Sequence, residues 1–168
     1  MAATIQIHEM SAADTGADKT SGTIRFKDAD NNTVDNNDPL VIPAADTIYS
    51  YTKKLRAYMD AAPSVQVSNF RWYSDGENSL GTGLAITCKN IGTTFGSQYK
   101  TAMSGGADFF GKTSGSPLDG DGTDTGPFVP ADDDTYIGDI IELQMSVAST
   151  ASQGSKGPEA VTVAYDEI

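Results

Sequence analysis

Apolar and polar residues alternate with a period of two along much of this chain, the pattern of strands with one buried face. Residues 65–89, VQVSNFRWYSDGENSLGTGLAITCK, show it best and predict two strands joined by a polar, glycine-rich turn. The first run, 65–73, holds the only Trp with Phe70, Tyr73 and two valines, side chains that suit a pleated, half-buried surface. Val65 and Val67 share one phase there, and Phe70 and Trp72 the other. Either both faces are covered, or a β-bulge near Ser68 and Asn69 shifts the register. The second run, 84–89, places Leu84, Ile86 and Cys88 on one face and Ala85, Thr87 and Lys89 on the other. Asp75, Gly76 and the glycines that follow supply the turn. This hairpin is expected at the centre of the core.

Upstream, 4–8 predicts a short strand with Ile5 and Ile7 on one face, and 11–22 a loop. The run TIRFK, 23–27, predicts a strand with Ile24 and Phe26 inward, and LVIP, 40–43, an edge strand ended by proline. Residues 47–60, TIYSYTKKLRAYMD, fit two periods. Ile48, Tyr51, Leu55 and Tyr58 have helical spacing, while Tyr49, Tyr51, Lys53, Leu55 and Ala57 alternate. The tyrosines and threonines favour a strand, with a helix as the alternative.

From 90 to 135 glycine, Ser, Thr and Asp prevail, and apolar residues come in isolated pairs such as Phe109 with Phe110 and Phe128 with Val129. An extended excursion with one or two short strands is expected, held by those aromatics and reaching towards neighbouring molecules. Alternation returns at 136–148, with Ile141, Leu143, Met145 and Val147 opposite Glu142, Gln144 and Ser146, and again at 161–165. Together these predict a closing hairpin. Six or seven short strands with long polar connections give an all-β chain. The expected fold is an antiparallel β-sandwich, Ig-like or jelly-roll-like with long polar loops, in one domain over 1–168.

Charge narrows the partners. The net charge of −12 repels phosphate backbones and anionic membranes, so neither nucleic acid nor membrane is an expected partner. The charge is uneven: residues 51–100 hold six Lys and Arg against three Asp and Glu, leaving −15 for the remainder. A basic middle between acidic flanks suggests a self-complementary assembly surface, or simply solvated loops at both ends. The single cysteine, Cys88, excludes an intrachain disulfide and reads as a small buried hydrophobe. MAATIQIHEM has neither a basic region nor an apolar run of a secretory signal, which predicts synthesis in a cytoplasm.

Candidate chemistry is sparse. His8 is the only histidine and no triad partner lies near it in sequence; a structural histidine is the better reading, as is a buried Cys88 over a nucleophile. Asp28, Asp30 and Asn32 begin like a calcium loop, but Thr33 stands where glycine is needed and Pro39 where the bidentate Glu is needed. Asp119, Asp121 and Asp124 in LDGDGTDTG offer hard oxygen ligands on flexible backbone, against the plainer reading of a solvated turn. Residues 132–134 are three adjacent aspartates whose side chains diverge. Trp72, Tyr73, Phe109 and Phe110 are candidates for a sugar-binding platform, although aromatics in strands are more often core. No catalytic, cofactor-binding or metal residue is assigned.

The order of an opening strand, SYTKKLRAY, VSNFRWYSDG, a Gly-rich excursion and a closing IIELQMSV with VTVAYDEI resembles small β-sandwich virion proteins of tailed bacteriophages. SNFRWYSDG and the terminal YDEI resemble them best. The resemblance implies a non-enzymatic capsid decoration (cement) protein, or a related head or tail component. It would bind the major capsid protein or other virion proteins, self-associate in the particle and be assembled in the host cytoplasm. A carbohydrate- or receptor-binding module is the alternative.

Overall fold

The computed structural model describes residues 2–154 and 156–168. Among them the strands are β1 (Thr4–Ala12), β2 (Thr15–Asp18), β3 (Thr47–Tyr49), β4 (Lys53–Ala61), β5 (Val67–Tyr73), β6 (Leu84–Asn90), β7 (Ala107–Asp108), β8 (Leu118–Asp119), β9 (Thr135–Ala148) and β10 (Thr162–Glu167). One 3-10 turn occupies Pro130–Asp132. All pairings are antiparallel. The fold is an all-β antiparallel sandwich, as the alternation predicts.

The larger sheet runs β2-β1-β4-β9-β6-β7, with β3 also on β9. The 14-residue β9 is its spine: β4 and β3 share one edge of it and β6 takes the other. The smaller sheet is β10-β5-β8. Its Phe70 and Trp72 pack in the core with Ile7, Leu55, Ile86, Cys88 and Leu143 of the larger sheet.

This arrangement corrects both predicted hairpins. The strands within 65–89 form, but β5 and β6 lie in different sheets. Likewise β9 and β10 belong to different sheets. Each connection therefore crosses the sandwich, because two strongly apolar faces bury more surface against each other than side by side.

Residues 47–60 are extended, as β3 and β4, so the strand period wins over the helical one. The loop expected at 11–22 contains β2, which folds back on β1. The phase problem in 65–73 resolves as a bulge. Asn69 has φ +57° and is exposed, the pairing with β10 slips between Ala164 and Asp166, and Val67, Phe70 and Trp72 all end up buried. The strands expected at TIRFK and LVIP do not form, since neither segment joins a ladder; Ile24, Phe26, Leu40 and Ile42 nonetheless pack half-buried on the core.

The 90–135 segment has the two short strands expected of it, β7 and β8, but is not a projecting arm. Phe109, Phe110 and Phe128 are core residues. Gly120 lies so close to Trp72 that a Cβ there would meet the indole at 2.6 Å. Residues 104–126 contribute Phe109 and Phe110 to that core and do not hang free of the sandwich.

Candidate functional site

Three features stand out once the sheets are in place: a set of buried ion pairs under the long loops, an aspartate-pinned loop, and a cleft beside the core face of the larger sheet.

The ion pairs come from the KK of β4. Alternation sends Lys53 and Lys54 to opposite faces of the sheet, and both are buried. Lys53 Nζ lies 3.0 Å from Glu9 and donates to the carbonyl of Asn31 at 2.5 Å. Lys19 meets the same carboxylate at 3.5 Å. Among the described residues Glu9 accepts no hydrogen bond, so two ammonium groups balance it by charge alone. Lys27, also buried, pairs with Asp35 at 2.7 Å. These contacts fasten 27–35 onto one side.

On the other side Lys54 pairs with Glu142 of β9 at 3.2 Å, donates to the Ser97 carbonyl at 3.1 Å and lies 5.0 Å from the Phe95 ring centroid. Tyr99 donates to Glu142 at 2.8 Å; burial, and then this carboxylate, pushes its hydroxyl pKa up to about 12. Gln144 donates to the Thr101 carbonyl and accepts from the Met103 amide, both at 2.9 Å. Glu142 and Gln144 do point away from the core, as their phase predicts, yet both are buried beneath 95–104.

The basic middle is thereby engaged internally. Lys53, Lys54, Arg56, Arg71 and Lys100 are all paired, the last two with Asp166 and Asp28. It does not form the free basic assembly surface that its composition suggests.

The LDGDGTDTG loop is organised by a protein carboxylate. Asp139 interrupts the apolar run of β9 after Gly138, whose φ is +65°, and three residues there bulge opposite Arg56. Asp139 is buried and accepts from Asn90 Nδ2 at 2.8 Å, Thr123 N at 2.8 Å and Asp124 N at 2.9 Å. The three sequence candidates face elsewhere. Asp119 accepts from the Asp121 amide at 3.1 Å, Asp121 from the Phe70 amide at 3.2 Å, and Asp124 from Arg56 at 3.1 Å. Burial raises Asp121, helped by Asp119; it also raises Asp124, outweighing the attraction of Arg56. Among the described residues no three His, Cys, Asp or Glu side chains gather as a metal site. Asp139 was absent from the sequence candidates; the Gly138-Asp139 pair inside a strand was the available signal.

His8 belongs to an aromatic cluster on the outer face of the larger sheet. It stacks on Tyr58 with centroids 4.5 Å apart and bonds Tyr136 Oη at 3.1 Å and Gln6 Oε1 at 2.8 Å. Burial lowers its pKa, against the pull of Asp18 and Asp60. Cys88 is buried, and desolvation pushes its thiol up to about 11. Trp72, Phe109 and Phe110 are buried in the core, whereas Tyr73 is half-buried and lies outside it, so three of the four rings considered for a sugar platform serve the core.

The cleft, about 920 Å³, opens between the core face of the larger sheet and residues 22–26, 40–42, 151–154 and 156–161. Ile24, Phe26, Leu40, Ile42, Met145 and Val161 line it. Its walls are mixed, with Lys19, Arg25, Lys156 and Glu159 beside the apolar residues.

No family model, curated protein or solved structure matches this chain.

Proposed function

We propose that this chain is a non-enzymatic structural protein of a bacteriophage virion, an auxiliary capsid protein that decorates and stabilises the head lattice through contacts with the major capsid protein. A tail or neck component is the variant of the same reading. The resemblance of SNFRWYSDG and YDEI to such proteins supports it.

The structural observation that carries it is the clamping of the long loops. Polar loops of this length are ordinarily mobile. Here buried lysines hold 27–35 and 95–104 in one conformation on opposite sides of the sheet. A surface ordered beforehand loses little entropy on docking. Repeated on every copy, even modest contacts then add through effective concentration.

The test is co-sedimentation of the purified protein with undecorated phage heads over a salt series. Saturable binding with a fixed copy number per head is the expected result. A protein that stays in the supernatant with heads, and also with isolated tails, overturns the reading.

A further inference from the structure

Strand register brings three rings together on the outer face of the larger sheet. Tyr58 of β4 lies opposite Tyr136 of β9 and Gln6 of β1, and His8 follows Gln6 in the same phase. None of the three rings belongs to the hydrophobic core. Tyr136 stands across the stacked His8 and Tyr58, at 77° and 68° to them, with centroids 5.5 and 5.1 Å away. The bonds of His8 to Tyr136 and Gln6 hold the rings in place beforehand. At the Lys54 end of this face 95–104 covers the sheet. Here a cavity of about 610 Å³ remains, with the three rings, Asp14, Arg56 and Asp134 in its walls.

Charge and shape together select an occupant. Asp14 and Asp134 are exposed, and among the described residues they pair with no cation. Burial, and then Asp134, Asp60 and Asp133, raise the Tyr58 hydroxyl, so a field of carboxylates reaches the ring. Arg56 is the one cation in the walls, and it is already engaged, with Asp124 at 3.1 Å and the Gly138 carbonyl at 2.8 Å. Ring faces and unpaired carboxylates both attract positive charge and repel an anion. A sugar stacks on one open ring plane, whereas these rings meet steeply and form a corner. A primary ammonium is compact and strongly hydrated, and binds carboxylates without needing rings. A quaternary ammonium spreads its charge over methyl groups and gains from rings and carboxylates alike.

We propose that the corner formed by Tyr58, Tyr136 and His8, with Asp14 and Asp134, binds a quaternary ammonium group. The site is independent of the virion assignment. The group can be carried by a free molecule or by a trimethylated lysine of another protein.

The test is a titration of the full chain with choline chloride at constant ionic strength, followed by NMR. His8 is the only histidine, so its ring protons report the corner, and Trp72, the only tryptophan, reports the core. A saturable shift of the His8 signals is expected at about millimolar choline, with those of Trp72 unmoved. The neutral carbon isostere, bearing a tert-butyl group in place of trimethylammonium, should bind about tenfold or more weakly. Tyr58→Leu should weaken choline by about tenfold, while Tyr58→Phe, which keeps the ring, should bind as wild type does. The surface pair Asp14→Asn and Asp134→Asn should together cost about fivefold. A trimethyl-lysine amide that binds more tightly than choline supports the site with a modified protein as its source, and the reverse order supports it with a free molecule. The proposal is overturned if no saturable shift occurs, if the neutral isostere binds as well as choline, or if the double aspartate variant binds unchanged.

Discussion

Lys54 of β4 and Glu142 of β9 are paired 3.2 Å apart across neighbouring strands, both buried under 95–104. Removing one partner leaves a charge in a dry place, whereas removing both does not. Lys54→Met or Glu142→Leu alone should cost about 3–5 kcal/mol, and the double variant clearly less than the sum. Urea unfolding of the three variants measures this. Hydrogen exchange of 95–104 should accelerate in all of them, because the ammonium also holds the Ser97 carbonyl and the carboxylate accepts from Tyr99.

Gly120 permits the closest approach of the 119–126 loop to the core. A Cβ there would lie 2.6 Å from Trp72 Cδ1 and 2.9 Å from the Phe70 carbonyl. The carbonyl is backbone and cannot move aside. Gly120→Ala should destabilise by about 1–3 kcal/mol and shift the Trp72 emission, read together in one fluorescence-monitored titration.

His8 gives a pH dependence of known sign. Burial lowers its folded pKa below the ordinary value of 6.5. The unfolded chain therefore takes up the proton first as pH falls, and protonation favours unfolding. Stability is full above 6.5, declines through the window below it and levels off beneath the folded pKa. Urea midpoints taken at about pH 7.5 and about pH 5.5 should differ less in His8→Gln than in wild type.

Cys88 is expected to be inert in the native state. Its thiol is raised to about 11 by desolvation, so little thiolate exists at neutral pH. A disulfide reagent should label it only in denaturant. Rapid native labelling would mean that β6 opens locally.

Asp139 should matter more than any aspartate of the loop it holds. Asp139→Ala leaves the amides of Thr123 and Asp124 and the side chain of Asn90 without their acceptor. A loss of about 2–4 kcal/mol follows from several orphaned donors. Asp119→Asn should change stability little, and adding calcium should rescue neither.

The sequence by itself determined which residues face inward. Period-two alternation is local, so Leu84, Ile86 and Cys88, or Ile141, Leu143 and Val147, could be assigned to a buried face before any partner was known, and the bulge at Asn69 was legible as a slip of phase. Only the tertiary structure decided which strand bonds to which. Adjacent alternating runs look like hairpins, yet β5 and β6, like β9 and β10, cross between sheets, because hydrogen-bond partners are chosen by long-range packing that leaves no local trace. The same holds for charge. Nothing in the local pattern marks Lys53, Lys54 or Asp139 as buried; their burial follows from loops folding back over them, and from the need of each buried charge for a partner distant in sequence.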